Sequence, residues 1–566
     1  MTERPGNRTW QLLFAALALL FAVWLGFIRF RPTREIPLAA GEPDNSDQQD
    51  SSPGSKRLPD PSFREPREDV GRVPQQKPGE QDESVFLPDI WKAEDAIPFE
   101  YLVRFYSAAD AEAFAALARQ KGARVLGSLA AFHAVRVRVE NVEQLRALLR
   151  EGPIGLEQGP NFFVRIPTQP ANPLEPYPGG YVGFGPHAPA WLGIPQEHAR
   201  WGEGITVAIL DDGVGRHSAL ASARIVRLDM LSEATDSSVP AGTHATAVCS
   251  LVSGTGSGIG GVSPAATVLS LRVVSQDGVG DAFTTASALV EAVNRGAKVV
   301  NICLGGRGDC FVLREAVQYA VERGVVIVAA AGNDGIEGVA YPARYDGVVA
   351  VGAVDATGRH LFFSNRGPEI DLVAPGLGVL AAGSDDALIS FSGTSAAVPF
   401  VTGAVAALLA QEPQLTGLEA VQVLQEWADD TGAPGKDEMT GYGILNIGRV
   451  LRRKTPGICD AAMALPYVMP AEEGDELRTV VVYGQNRGTM PLSAVEVVVG
   501  LGGEQYAKKF YDIAVGATFA LDLTVPAVRL SRPGGLPFEC VVRTLAVADQ
   551  TPENNSIAGV LLPAPR

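Results

Sequence analysis

Apolar positions are spaced differently in successive parts of this chain, and each change of spacing predicts a different kind of structure. Residues 12–28 form an unbroken apolar run, about long enough to cross a bilayer as a helix, with Arg4 and Arg8 before it and Arg29 and Arg31 after it. No pair of small residues suited to signal-peptide cleavage follows closely, so residues 1–31 are expected to be a retained membrane anchor, a cleavable signal segment being the alternative. Arginines on both sides leave its orientation open. Residues 32–90 are rich in Pro, Gly, Ser and charged side chains and too poor in large apolar ones to offset chain entropy, so a disordered linker is predicted.

Order is predicted from about residue 91. Tyr101, Val103 and Phe105 alternate as in a strand, and Ser107 stands three residues before Asp110, the signature of a helix start. Phe114, Leu117 and Ala118 mark that helix's buried stripe, and a strand follows through Val135, Val137 and Val139. Asn141 opens a second helix striped by Val142, Leu145 and Leu149. Strand, helix, strand, helix, strand is the order predicted for a small α+β unit at 91–167. Residues 168–190, rich in Pro and Gly, read as an exposed connector that a protease could cut. Over 191–455, apolar runs such as 205–210, 299–302 and 325–328 alternate with helical patterns such as 285–295, which predicts a parallel α/β sheet covered on both faces. After Pro456 the pattern turns to short alternating strands, for example Val495, Val497 and Val499, and an all-β sandwich is predicted over 456–566. The fold class is therefore multidomain with a central α/β parallel sheet.

The length of 566 residues fits this division, since one core cannot grow so large. A net charge of -17 argues against nucleic acid as a partner. The cysteines Cys249, Cys303, Cys310, Cys459 and Cys540 are odd in number and lack metal-ligand spacing, so no disulfide framework is implied. Cys459 and Cys540 bracket the C-terminal region and either pair after export or stay as thiols.

Three loops of the α/β region carry candidate chemistry. An apolar run ends in Asp211, at the C-terminal end of a predicted parallel strand, where open sheets place their sites. His244 opens a helix of small residues. Ser395 follows Gly393 and Thr394 at a helix N-terminus, where the macrodipole favours a developing negative charge. A hydroxyl, an imidazole to activate it and a carboxylate to orient the imidazole are what peptide hydrolysis by serine requires.

In the order Asp, His, Ser, these motifs resemble the subtilase family of serine proteases over roughly residues 191–451. The stretch 329–335, Ala-Ala-Ala-Gly-Asn-Asp-Gly, is similar to the family's oxyanion loop, and residues 299–306 and 441–443 are further echoes. The resemblance implies Asp211, His244 and Ser395 as triad, Asn333 as side-chain oxyanion donor with the Ser395 amide as its companion, and no cofactor. It also implies a serine endopeptidase acting on proteins or peptides, made as a zymogen and autoprocessed after export. The unit at 91–167 resembles the family's inhibitory propeptide, an intramolecular inhibitor. Asn486-Arg487-Gly488 and the stretch from Asp549 to Asn555 resemble strand ends in cell-adhesion-related sandwiches of bacterial surface proteins. The catalytic part is then expected outside the cytoplasm, membrane-anchored, or secreted if the N-terminal segment is removed.

Several positions depart from the family pattern. The histidine motif usually opens His-Gly-Thr, whereas Ala241-Gly242-Thr243-His244 allows a rival register with alanine at the catalytic place, which would make a pseudoprotease acting as a surface scaffold. The preferred register has Ala245 in place of glycine. Asp212 stands where a hydroxyl residue is more usual, and adjacent carboxylates raise one another's pKa. Ala396, Val398 and Phe400 are packing changes, and Cys303 replaces a serine as a buried small residue. Residues 217–220 lack the acidic side chain that binds calcium in many relatives, so no calcium is predicted there, and structural calcium elsewhere is left open. His133, His187, His198, His217 and His360 are read as surface or structural.

Overall fold

The computed structural model describes residues 91–168, 180–231, 241–256, 258–469, 475–532 and 534–561. The expected anchor and linker, and residues 169–179 of the expected connector, lie outside the described residues.

The N-terminal unit comprises β1 (Ala96–Arg104), α1 (Ala108–Gln120), β2 (Arg124–Leu129), β3 (Ala134–Arg138), α2 (Val142–Glu151) and β4 (Glu157–Arg165). Both helices begin as their sequence signals require: Ser107 accepts from the Asp110 amide and Asn141 from that of Gln144. The four strands pair antiparallel in the order β4-β1-β3-β2. Strand β2 is an addition to the predicted order, hidden from the sequence pattern because only Leu129 in it is buried. Phe105, Phe114, Leu145 and Leu148 close the core between helices and sheet.

The central unit holds a seven-stranded parallel sheet in the order β14-β13-β12-β11-β5-β9-β6. Its strands are β5 (Thr206–Asp211), β6 (Arg224–Asp229), β9 (Thr267–Arg272), β11 (Val299–Ile302), β12 (Val326–Ala330), β13 (Val348–Val354) and β14 (Ile370–Pro375), with the small pair β7 (Thr255–Gly256) and β8 (Ile259–Gly260) and the strand β10 (Val279–Asp281) outside it. One core lies on each face, as expected of strands that are apolar at consecutive positions. The helices that matter for the site are α3 (Thr243–Ser253), α4 (Ala282–Asn294), α5 (Phe311–Val321) and α6 (Thr394–Gln411). α6 is apolar on all sides because it is buried on all sides.

Beyond β15 (Val379–Ala382) and β16 (Leu388–Phe391), the C-terminal unit places two four-stranded antiparallel sheets about one core. Arg487 pairs with Asp429, and Gln485 accepts from the Asp430 amide, so this unit is docked on the central one. All five cysteines are buried free thiols, so Cys459 and Cys540 do not form a disulfide.

The N-terminal unit packs against α4 and α5, and its last strand extends into the central unit. There β4 pairs antiparallel with β10, Val279 facing Arg165, Gly280 facing Val164 and Asp281 facing Phe163. A buried polar network spans the junction. The Glu100 side chain, fully excluded from solvent, receives the Arg136 guanidinium at 2.7 Å and that of Arg138 at 2.5 Å. Arg136 also reaches Asp281 at 3.1 Å, while Asn161 donates to both carboxylates and accepts from the Phe283 amide at the start of α4. Removing one partner of such a network leaves a buried charge undercompensated. Arg136→Ala is therefore expected to lower the stability of the N-terminal unit by about 3 kcal/mol, measurable as an earlier transition in urea unfolding of the full chain.

Candidate active site

Strand β5 ends at Asp211, which is 1% exposed. The chain turns at Gly213, whose φ of 95° is a conformation open to glycine. α3 then brings His244 to the same place. Its Nδ1 lies 2.9 Å from both oxygens of Asp211, and the edge-on ring of Phe391 packs against the imidazole at 5.3 Å. Asp211 thus faces His244 and not Ala241, so the fold adopts the register with histidine opposite the carboxylate. Burial alone would push the His244 pKa down, but Asp211, with a smaller contribution from Asp212, more than offsets this and holds it above its ordinary value.

Ser395 is the second residue of α6, behind Gly393 at φ 122°. A Cβ on Gly393 would come within 2.7 Å of the Asn333 amide nitrogen, so glycine is required for the two loops to meet. The Ser395 hydroxyl is buried and makes no hydrogen bond. Cys303 donates to Asn301 Oδ1 at 3.2 Å and to the Ser395 carbonyl at 3.6 Å, and burial raises its thiol pKa well above normal. It is a packing group under the serine rather than a nucleophile.

Asn333 follows β12. Its side-chain oxygen accepts from both the amide and the hydroxyl of Thr394 at 2.9 Å, which turns its NH2 group towards the cleft. Asn365 braces this loop by donating to the Ala331 carbonyl and accepting from the Asp334 amide. Thr394 and Asn365 are the residues the sequence reading missed. Thr394 was visible only as a turn residue, and Asn365 has no local signal.

The cleft is occupied by the chain's own segment leading out of β4. Arg165 exchanges two backbone hydrogen bonds with Gly305, and the Ile166 amide donates to the Gly278 carbonyl. At the end of this extended run the Thr168 carbonyl accepts from Asn333 Nδ2 at 3.3 Å. The walls can close this tightly because they are glycine. A Cβ on Gly306 would stand 2.5 Å from the Phe163 carbonyl oxygen, and one on Gly308 would stand 1.9 Å from the Phe162 ring.

Three of the other histidines have surroundings of their own. His217 is bracketed by the Ala387 carbonyl and the Ala219 amide, His198 meets the Gly261 carbonyl, and burial lowers His360 to about 4. Among the described residues no group of His, Cys, Asp and Glu is arranged to hold a metal ion.

A parallel α/β sheet that pairs Asp211 with His244 at its carboxyl edge, and sets Asn333 on Thr394 next to a Ser395 hydroxyl that bonds to neither, is an arrangement that defines a class, and comparison with known proteins gives the family. The profile of the Subtilase family matches residues 202–443, and the chain belongs to that family. It is 34% identical over 264 residues to the thermostable alkaline protease of Halalkalibacterium halodurans, covering 46% of this chain and 72% of that one. It is 33% identical over 260 residues to subtilisin BL of Lederbergia lenta, covering 46% of this chain and 95% of that one. Among solved structures, fervidolysin from Fervidobacterium pennivorans, described as a keratinolytic enzyme related to subtilisin, aligns over 82% of this chain and 91% of its own with a TM-score of 0.55 and 19% identity, a likeness of fold.

Proposed function

We propose that the chain is a serine endopeptidase that cuts peptide bonds in proteins and processes itself. The Ser395 Oγ attacks the carbonyl, His244 takes its proton as general base and returns it to the leaving amine, and Asp211 holds the imidazolium. Asn333 Nδ2 and the Ser395 amide stabilise the oxyanion, and no cofactor enters. The observation that carries the reading is the contact of Asn333 with a carbonyl of an extended chain lying in the cleft beside the paired Asp211 and His244. The test is labelling with a serine-directed fluorophosphonate: wild-type protein labels, and Ser395→Ala does not. Failure of the wild type to label would return the pseudoprotease scaffold as the better reading.

In this reading residues 91–167 are an intramolecular inhibitor whose last strand fills the cleft as a substrate strand would, and the contact of the Thr168 carbonyl with Asn333 supports processing on one side or the other of that residue. The membrane anchor, with the catalytic part outside the cytoplasm, and an adhesion-type role for the C-terminal sandwich belong to the same proposal.

A pH dependence follows from His244. The general base must be neutral, and its pKa is held above the ordinary histidine value, chiefly by Asp211 working against burial. Activity should therefore be full well above that pKa and be lost as pH falls through it. The acid limb of kcat/KM is expected above about 6.5, the unperturbed histidine value, and a limb clearly below it would contradict the pairing with Asp211.

A further inference from the structure

Asp212 has no part in the chemistry described so far, yet it is buried beside the triad. The helix α3 that carries His244 starts at Gly242, which has no side chain to cap it. Uncapped helix amides need an acceptor from elsewhere. Asp212 Oδ1 supplies it, accepting from the Ala245 amide at 2.8 Å. Ala245 is the third residue of α3, the position an ordinary N-cap side chain would satisfy.

The two loops are built for each other. A Cβ on Gly242 would lie 1.9 Å from Asp212 Cγ and 2.1 Å from either oxygen, so glycine at 242 makes room for the carboxylate. The Gly242 amide in turn donates to the Gly213 carbonyl at 2.7 Å. One turn of chain therefore holds His244 twice, by Asp211 on the ring and by Asp212 on the backbone next to it.

We propose that Asp212 is a positioning residue for the triad, a carboxylate that caps the His244 helix from the neighbouring loop and so fixes the imidazole against Asp211. The inference rests on the reading of His244 as general base. Charged groups around Asp212 are Asp211 on its own turn and His244 on α3. Arg227, from β6, is engaged by the Val214 and Gly215 carbonyls. Burial first, and Asp211 second, raise the Asp212 pKa to about 7. Its charge, and with it part of the support for the imidazolium, is lost as pH falls through that value.

Two measurements on the full chain test this. In a Ser395→Ala background, where no turnover is needed, the His244 ring is titrated by NMR with and without Asp212→Asn. The substitution should lower its midpoint by roughly half a pH unit or more, because a negative charge beside a cation has been removed. In the active chain, Asp212→Ala should lower kcat on a peptide anilide by roughly tenfold with KM within about twofold, and Asp212→Asn, which keeps the acceptor, should restore most of it above pH 8. Gly242→Ala should mimic the loss, and adding Asp212→Ser should relieve it. A His244 titration unmoved by Asp212→Asn, or a loss of kcat that asparagine does not restore, would overturn the proposal and leave Asp212 a packing residue. A moved titration in the Ser395→Ala background, together with a wild-type protein that turns nothing over, would instead keep the positioning and overturn the protease reading.

Discussion

Ser395→Ala is expected to lower kcat on a peptide substrate by about six orders of magnitude, with substrate binding little changed. The size is carried over from subtilisin, the type member of the family; the direction follows from this chain. Ser395 Oγ makes no hydrogen bond that alanine would break, so what is lost is the nucleophile. The residue stands at the N-terminus of a helix buried from Thr394 to Leu409, behind a glycine, and alanine fits that helical backbone without strain. Folding should be intact, checked by an unaltered melting temperature. Comparable activity in Ser395→Ala and wild type would mean that any hydrolysis observed comes from another group or a contaminant.

Asn333→Ala is expected to lower kcat by about 10²–10³-fold while KM stays within a few-fold, a range again drawn from subtilisin. The geometry explains why the loss should fall on kcat. Asn333 points its NH2 group at a carbonyl oxygen because Thr394 holds its oxygen twice, and that donor gains most when negative charge develops on the carbonyl. Removing it also leaves the Thr394 amide and hydroxyl without their acceptor, so a modest fall in melting temperature should accompany the kinetic loss. A variant with wild-type kcat would show that Asn333 is a structural residue of the loop.

What could be read from the sequence is what is local in it. Asp211 ends an apolar strand, Ser395 follows a glycine that must bend, and Asn333 follows a run of small residues ending in Gly332. Each announces a loop at the end of a strand. Contacts between distant segments could not be read. The histidine register was ambiguous because the deciding partner, Asp211, is 33 residues away. The capping role of Asp212 is hidden for the same reason, since the helix it caps appears in sequence simply to lack a cap. Strand β2 escaped notice because only Leu129 in it is buried and three of its residues are half-buried, so alternation is faint. The network joining Arg136 to Asp281 links residues 145 apart and had no periodicity to reveal it.

If the proposal holds, this chain cuts itself with Asp211, His244 and Ser395 as its triad. Intact mass and N-terminal sequence of the purified wild-type protein, beside His244→Ala and Ser395→Ala, test it most directly. The account predicts a wild-type product whose N-terminus begins at Thr168 or Gln169, while both variants stay uncut at that point. The same cleavage in all three proteins, or an uncut wild type that also fails to react with fluorophosphonate, would contradict it.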